Sequence, residues 1–345
     1  MSDGRQIFYY DSLPIQRTSV DLRPSEPRPL PGELRIDALT GEAITVASHR
    51  QARAFLPAKE FCPLCPTITE FGTEIPDSEF EVVVFENRSP SFSAPSDALS
   101  PDVAQASGRC EVVVFSDQHE GSLGTLSEDR IRTVLAAWID RTREISQLPY
   151  VEQIFIFENR GEEVGVTLNH PHGQIYSYPF VTARTEKMLA AAQAHFALHK
   201  EPLLTTIIAK EIADEIRIIA ANDHWVAYVP YAARYPFEIH VAPRVFAPDL
   251  AQISDQVADA FPAIAKEVLT RLDGVFGMQM AYIASWHQAP IRIGRDVLGL
   301  HWQITSVRRA PGKLKYLSGS ESAMGAFIMD LKPEQSAQQL RDVKL

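Results

Sequence analysis

The chain has 345 residues, of which 45% are hydrophobic and 22% are charged, a composition typical of globular proteins. This length predicts two folded units or one duplicated unit, because single domains commonly hold roughly 100–200 residues. Acidic residues outnumber basic ones by 44 to 33, and the net charge is −11. Without a lysine- and arginine-rich run, that charge argues against nucleic-acid binding. A small anionic ligand stays compatible, because a few placed arginines can bind one phosphate group.

Membrane association is also disfavoured, since no apolar run approaches the ~18 residues that a membrane span needs. The first residues lack the basic and then apolar pattern of a signal peptide. The cysteines Cys62, Cys65 and Cys110 do not form a secreted disulfide framework. We therefore predict a cytoplasmic protein.

The N-terminal part of the chain is rich in proline, with five prolines in residues 1–34. Such a density disfavours helices and central strands, and it predicts an extended arm. A short strand is predicted over 44–46, followed by a loop that carries Cys62-Pro63-Leu64-Cys65. The β-branched and aromatic residues of 81–85 and 111–115 predict two further strands.

A helix is predicted to begin after Ser127, because Glu128 and Asp129 suit a first turn. Apolar residues then recur at helical spacing, on one face: Ile131, Val134, Leu135, Trp138 and Ile139. After the helix we predict a strand over 154–157, a turn over 159–161 and a strand through 175–176.

The same order of elements returns in the second half of the chain. It runs through a strand (238–242), a helix (roughly 249–272), a strand (278–284) and a strand (301–304). His172-Gly173-Gln174-Ile175 is echoed by His301-Trp302-Gln303-Ile304, at nearly the same distance after the first strand of each half. We therefore predict an internal duplication with a degenerate second copy.

These elements predict an α+β fold, with helices packed on a largely antiparallel sheet. The predicted division of the chain is an arm (1–34), an N-terminal catalytic repeat (35–185), a degenerate C-terminal repeat (186–335) and a tail (336–345).

The most informative motif is His170-Pro171-His172-Gly173-Gln174. On an extended strand, residues two apart point the same way, so His170, His172 and Gln174 would line one face. Pro171 would make that presentation rigid, and Gly173 would let a phosphate approach the backbone. The alternative is an edge strand with two solvated histidines.

A metal site is predicted from Cys62, Cys65, His119 and His170. Two thiolates and two imidazoles are a donor set that tetrahedral zinc favours. A C-x-x-C spacing also occurs in redox sites and by chance, and His119 could belong to an ordinary turn.

If His170 binds metal, His172 is the free imidazole on the same face. An imidazole can attack phosphorus and form a labile phosphoramidate. The neutral amide of Gln174 can donate a hydrogen bond to a phosphoryl oxygen but cannot shuttle protons to water. This residue therefore favours group transfer over hydrolysis.

The H-P-H-G-Q run, preceded by F-E-N-x-G at Phe157 to Gly161, resembles the active-site motif of the galactose-1-phosphate uridylyltransferase family of the histidine-triad superfamily. The likeness extends over nearly the whole chain. It implies a duplicated histidine-triad-like fold, zinc, a homodimer, and UDP-glucose and galactose 1-phosphate as substrates. It also implies a ping-pong exchange of UMP in galactose metabolism, through a uridylyl group on His172.

By position, the resemblance places Cys62, Cys65, His119 and His170 on the family's zinc ligands. It places the following residues on its nucleotide-sugar contacts: Arg50, Arg53, Asn87, Asn159, Gly165, Thr167, Gln174, Lys315 and Glu321. Three positions depart from familiar members: Arg88 replaces an acid, Thr167 replaces a serine, and Ser320 replaces an aromatic residue.

Some family members hold a second, iron-type metal through one glutamate and three histidines. Glu186, His287 and His301 are matches here, but Gln303 occupies the third histidine position. We therefore expect this second site to be weak or absent, and a structural polar cluster is the alternative interpretation.

Two other functions remain open at the level of sequence. One is a phosphorylase or nucleotidyltransferase of the same superfamily that acts on an ADP-sugar or a dinucleoside polyphosphate, because the motif does not decide the base. The other is a zinc-stabilised nucleotide-binding protein without catalysis. The preferred hexose is likewise open.

Overall fold

The structure is a computed structural model that describes residues 1–52, 56–68, 72–100 and 102–345. Its strands are β1 (Ile7–Tyr10), β2 (Glu33–Ile36), β3 (Ala43–Val46), β4 (Val82–Glu86), β5 (Arg109–Val114), β6 (Gln153–Arg160), β7 (His172–Tyr178), β8 (Ile218–Ala221), β9 (Trp225–Tyr228), β10 (Phe237–Pro243), β11 (Tyr282–His287), β12 (His301–Ser306), β13 (Arg308–Ala310) and β14 (Lys313–Leu314). Its α-helices are α1 (Glu128–Ser146), α2 (Ala183–His199), α3 (Leu203–Asp214), α4 (Asp255–Gly274), α5 (Gly319–Met324) and α6 (Pro333–Arg341). Within these described ranges, no helix is both long enough and apolar enough to cross a membrane.

Ten of the strands form one antiparallel sheet, in the order β1-β4-β5-β7-β6-β11-β12-β10-β9-β8. Its two halves repeat one plan. In the first half β4, β5, α1, β6 and β7 follow one another, and the sheet order is β4-β5-β7-β6. In the second half β9, β10, α4, β11 and β12 follow one another, and the sheet order is β9-β10-β12-β11. The α+β class and the duplicated unit predicted from the sequence are therefore confirmed.

The two repeats join through β6 and β11, which pair antiparallel with Phe157 opposite Ser285. Helices α1 and α4 pack against each other and against one face of the sheet. Between the helices and the sheet lies the main apolar core, where Trp225, Trp286 and Trp302 are buried. We call this the inner face of the sheet and the opposite one the outer face.

The helix predicted after Ser127 begins there, because the Ser127 hydroxyl accepts a hydrogen bond from the Arg130 amide at 3.2 Å. Side chains at the predicted spacing, among them Ile131 and Trp138, are buried against the sheet. A buried ion pair between Arg141 on α1 and Glu111 on β5, at 3.0 Å, adds a polar link between helix and sheet.

Several element boundaries differ from the sequence prediction. The turn predicted over 159–161 is wrong for its first two residues, because β6 continues through Arg160 and pairs there with Tyr282. The second long helix begins at Asp255, after a short 3-10 turn at Leu250–Gln252, and is capped by Ser254. The strand predicted over 278–284 begins later, at Tyr282.

The segment predicted as an arm, residues 1–34, contains the edge strand β1, which pairs with β4, and the first two residues of β2, which pairs with β3. Arginine–carboxylate pairs hold it to the body of the protein, including Arg23 with Glu74 at 2.8 Å and Arg28 with Glu86. At the other end of the chain, α6 packs on β8 and α4. The boundary predicted between residues 335 and 336 falls inside this helix.

Candidate active site and metal centre

The four predicted metal ligands, which come from three separate loops, converge in the structure. The ligand atoms of Cys62, Cys65, His119 and His170 all lie within 4.8 Å of one another. Cys62 and His170 are buried, whereas Cys65 and His119 are half-buried. The thiol of Cys65 lies 3.3 Å from Nδ1 of His119 and 3.5 Å from Nδ1 of His170.

These distances fit a tetrahedral zinc ion. Zn–S bonds of about 2.3 Å and Zn–N bonds of about 2.0–2.1 Å place sulfur and nitrogen ligands roughly 3.5 Å apart at the tetrahedral angle. The Nε2–H of His170 donates to the carbonyl oxygen of Ser116 at 2.7 Å, which fixes Nδ1 as the nitrogen that faces the cluster. Burial and the neighbouring Cys62 raise the pKa of the Cys65 thiol to about 12, so two thiolates require a cation beside them.

His172, the first residue of β7, lies beside this cluster. Its ring lines a cleft and is not one of the four convergent ligands. Its Nδ1–H donates to the carbonyl oxygen of His170 at 2.7 Å, which leaves Nε2 with a free lone pair. The side chain is half-buried and lines a cleft of about 350 Å³. Nε2 can therefore act as a nucleophile toward a group bound in the cleft.

The strand predicted to present His170, His172 and Gln174 together begins only at His172. His170 and Pro171 precede it, so the buried His170 ring faces the cysteines and not the strand's exposed side. His172 and Gln174 do share one face, the outer face, while Gly173 and Ile175 are buried on the inner one. The prediction thus holds for the second and third residues of the motif.

Gln174 belongs to a row of directly opposed residues on the outer face. Gln174 lies opposite Phe157 on β6, Phe157 opposite Ser285 on β11, and Ser285 opposite Gln303 on β12. Neighbouring strands are about 4.8 Å apart, so roughly 15 Å separate Gln174 from Gln303. The outer face thus joins the two repeats in one continuous polar and aromatic surface.

The cleft beside His172 lies where β6 ends and β7 and β11 begin. Residues from both repeats line it, among them His119, Glu158, Asn159, His172 and Met280. Asn159, one of the residues predicted to contact a nucleotide sugar, donates through Nδ2 to the carbonyl oxygen of Val164 at 3.1 Å. Gly165 ends the short turn that follows, with φ of 78°, a conformation that favours glycine.

A residue that the sequence analysis did not assign is Glu158, in the same motif. Its carboxyl is buried, and Oε1 accepts a hydrogen bond from the Tyr282 hydroxyl at 3.1 Å. Burial raises the pKa of Glu158 to about 7, although Arg160 and Tyr282 counteract this effect. The alternation of Ile154, Ile156 and Glu158 along β6 was a signal for a carboxyl group on the inner face.

The substitution Glu158→Gln is expected to stabilise the protein at pH 8 but not at pH 4.5. A folded-state pKa above the unfolded value means that stability decreases as the pH rises from about 4.5 to about 7. Glutamine keeps the acceptor for Tyr282 and removes this decrease, a difference of about 3 kcal/mol. Urea unfolding at several pH values measures it, with the exposed Glu162→Gln as control. An unfolding free-energy difference that does not change with pH would contradict the assignment.

A second cleft, of about 490 Å³, lies between the arm and the end of β4. Asn87 lines it, and its side-chain oxygen accepts a hydrogen bond from the Ser89 amide at 2.8 Å. Arg50 lies close by and donates to the Ser89 carbonyl at 2.7 Å. Arg88, which departs from the family pattern, pairs with Glu26 of the arm. Arg53, also predicted to bind substrate, lies outside the described residues.

The remaining predicted contacts are dispersed. Thr167 is half-buried, and its carbonyl accepts a hydrogen bond from the Leu56 amide at 2.8 Å. Lys315 and Glu321 line neither cleft. They pair with each other, and hydrogen bonds from Lys315 and from the Ser318 amide lower the pKa of Glu321 to about 2.

The structure brings together only some of the residues predicted to hold a second metal. His287 and His301 come together with stacked rings 5.0 Å apart, and Gln303 lies beside them. Glu186 is exposed in the first turn of α2. Within the part of the chain that the structure describes, the Cys62–Cys65–His119–His170 group is the only convergent set of possible metal ligands.

The duplicated fold and a reachable imidazole beside a Cys₂His₂ cluster define an enzyme of the histidine-triad type. Two family models match, described as the N-terminal and C-terminal domains of galactose-1-phosphate uridyl transferase, over residues 31–182 and 188–345. The chain therefore belongs to the galactose-1-phosphate uridylyltransferase family, whose members are nucleotidyltransferases.

Individual relatives agree with this assignment. The galactose-1-phosphate uridylyltransferase of Streptomyces lividans is 40% identical, over 99% of this chain and 96% of that protein. The enzyme of that name from Thermotoga maritima is 34% identical, over 91% of this chain and 99% of that protein. A solved uridylyltransferase structure is similar with a TM-score of 0.81 and 32% identity, over 90% of this chain and 98% of that one.

Proposed function

We propose that this protein exchanges a uridylyl group between UDP-glucose and galactose 1-phosphate by a ping-pong mechanism, with His172 as the covalent carrier. One observation carries the proposal. The ring of His172 is held by its Nδ1–H on the His170 carbonyl, so Nε2 presents its lone pair at the cleft. The family and the names of the two relatives described above support these substrates.

In the first half-reaction, the lone pair of His172 Nε2 attacks the α-phosphorus and forms an N–P bond. The bond from this phosphorus to the bridging oxygen breaks, and glucose 1-phosphate leaves with the electron pair. The positive charge that develops on the imidazole is stabilised by the His170 carbonyl at Nδ1. In the second half-reaction, a phosphate oxygen of galactose 1-phosphate attacks the same phosphorus and the N–P bond breaks.

We propose that Gln174 assists this transfer, since it lies two residues from His172 on the same face of β7. Its amide can donate a hydrogen bond to a phosphoryl oxygen and cannot act as a general base toward water. Asn159, Gly165 and Thr167 near the first cleft, and Arg50 and Asn87 at the second, are proposed to bind the nucleotide sugar.

Zinc is the metal that we propose for the Cys₂His₂ cluster. Its contribution is to hold the loops of Cys62, Cys65 and His119 against His170, whose carbonyl orients His172. We also propose a cytoplasmic location, because both thiols must be reduced in order to bind metal. The division into repeats at residues 35–185 and 186–335 is part of the same proposal.

A homodimer would reconcile two observations. Lys315 and Glu321 match the family's substrate contacts but line neither cleft of their own chain. The segment that carries them exposes large apolar side chains, among them Tyr316 at 79% and Met324 at 81%. We propose that this segment contacts a second copy of the chain and brings Lys315 near the partner's bound substrate.

Incubation with UDP-glucose, followed by intact-mass measurement, tests the proposed function directly. We expect the chain to gain the mass of one uridylyl group and to lose it again when galactose 1-phosphate is added. ADP-glucose serves as the matched comparison, because it differs only in its nucleoside. An adenylyl adduct of equal yield would contradict uridylyl specificity, and the absence of any adduct would contradict the covalent mechanism.

A further inference from the structure

The C-terminal repeat carries a polar cluster on the outer face, at the position that corresponds to the His172 site. His301 begins β12 as His172 begins β7, and a glutamine follows two residues later in each strand. The members of this C-terminal polar cluster are Glu238, His240, His287, His301 and Gln303. The His301 ring lies between the rings of His240, at 4.9 Å, and His287, at 5.0 Å.

Gln303 lies at the centre of this cluster, and its side-chain carbonyl oxygen accepts two hydrogen bonds. Oε1 accepts a hydrogen bond from Nε2 of His287 at 2.8 Å and another from Nη2 of Arg184 at 2.9 Å. A carbonyl oxygen has two lone pairs, so none remains for a metal ion. The Gln303 oxygen would have to bind the metal in place of a histidine nitrogen, and it therefore has no free lone pair for that purpose.

Both carboxylate oxygens of Glu238 also accept hydrogen bonds. Oε1 of Glu238 accepts a hydrogen bond from the Gln303 amide, and Oε2 accepts one from the Arg234 backbone amide at 2.6 Å. Burial alone would raise the pKa of Glu238, but hydrogen bonds from His240, the Arg234 amide and Gln303 outweigh it and lower the pKa. Glu238 thus brings a negative charge into a largely buried group of residues.

The cation that faces this charge comes from the protein itself. Among the described residues, Arg184 in the first turn of α2 has no carboxylate within ion-pair distance. Its guanidinium is repelled by Arg234 and attracted by Glu238. A divalent ion beside Gln303 would be repelled by this guanidinium. Glu186, two residues further along α2, is exposed.

We propose that the guanidinium of Arg184 takes the place of a metal ion in the C-terminal polar cluster, and that Arg184 and Gln303 together exclude a divalent cation from it. The side-chain oxygens of Gln303 and Glu238 are then occupied by hydrogen bonds, whereas the buried Nδ1 of His301 has no hydrogen-bond partner among the described residues. Within the described part of the chain, the Cys₂His₂ cluster is then the one group to which we assign a metal. The hydrogen bond from Arg184 to Gln303 also joins α2 to the sheet.

Cobalt(II) titration of metal-free protein tests this inference, with Arg184→Ala, Gln303→His and the double variant R184A/Q303H compared with the unchanged chain. We expect one cobalt ion per unchanged chain, with thiolate-to-cobalt charge-transfer absorption from the Cys₂His₂ cluster. The double variant should bind two ions, and the second should add no thiolate absorption. Q303H alone should bind the second ion about 10–100-fold more weakly than the double variant, because Arg184 remains.

Three results would overturn the inference. One is a second cobalt ion on the unchanged chain that His287→Ala removes. Another is equally tight binding of the second ion by Q303H and by the double variant, since Arg184 would then have no effect. The third is a single ion on a double variant whose circular dichroism and first cobalt spectrum match the unchanged chain. Failure of the Cys₂His₂ assignment would appear differently, as missing charge-transfer absorption in every variant.

Discussion

Replacing His172 by alanine is expected to abolish uridylyl exchange, with a rate loss of at least about 10⁴-fold. Alanine has no nitrogen to form the N–P bond, and Gln174 cannot activate a water molecule in place of the imidazole. The fold should survive, because His172 is half-buried and, among the described residues, its ring makes one hydrogen bond, to the His170 carbonyl. Steady-state exchange rates and intact mass after incubation with UDP-glucose measure both parts of the prediction.

His199→Ala is a suitable control, since His199 lies exposed at the end of α2. This variant should exchange at the rate of the unchanged chain and form the adduct. If the His172→Ala variant still formed a uridylyl adduct, another side chain would be the nucleophile. Full metal content and an unchanged circular dichroism spectrum in His172→Ala would show that the loss is chemical and not structural.

The elements of the fold were predictable because their local signals are strong. The apolar spacing from Ile131 to Trp138 and the cap at Ser127 defined α1, and the β-branched runs defined β4 and β5. The echo of His172-Gly173-Gln174 in the second half predicted the duplication. Helix and strand ends were less accurate, as at Asn159 and Arg160, where pairing with β11 extends a strand through residues typical of a turn.

The metal cluster could be predicted because only a few residue types bind zinc and the chain has few cysteines. Side-chain clusters that depend on long-range packing could not be predicted from the sequence. Arg184 is an ordinary helix residue in sequence, and only the fold places it beside Gln303, 119 positions away. Lys315 is the opposite case, since its position matches a substrate contact of the family but it lines neither of the two clefts described above.

Replacing Cys65 by serine is expected to abolish binding of the proposed zinc ion, to destabilise the N-terminal repeat by several kcal/mol and to reduce exchange strongly. Structural zinc sites contribute about 10–16 kcal/mol in small peptides, and the surrounding core of this domain lowers the net loss. Activity should decrease with the metal, because His170 would no longer be held and its carbonyl orients the His172 ring. Metal content by elemental analysis, thermal unfolding and exchange rate should change together.

Cys110→Ala is the matched control, because Cys110 is buried in a separate apolar group with Phe92 and Ala106. Cys110 is not one of the four convergent ligands, so its thiol is a core side chain. This variant should keep about one metal ion per chain, with a modest loss of stability. Retention of a full metal equivalent in Cys65→Ser, or its loss in Cys110→Ala, would contradict the assignment of Cys62, Cys65, His119 and His170 as the ligands.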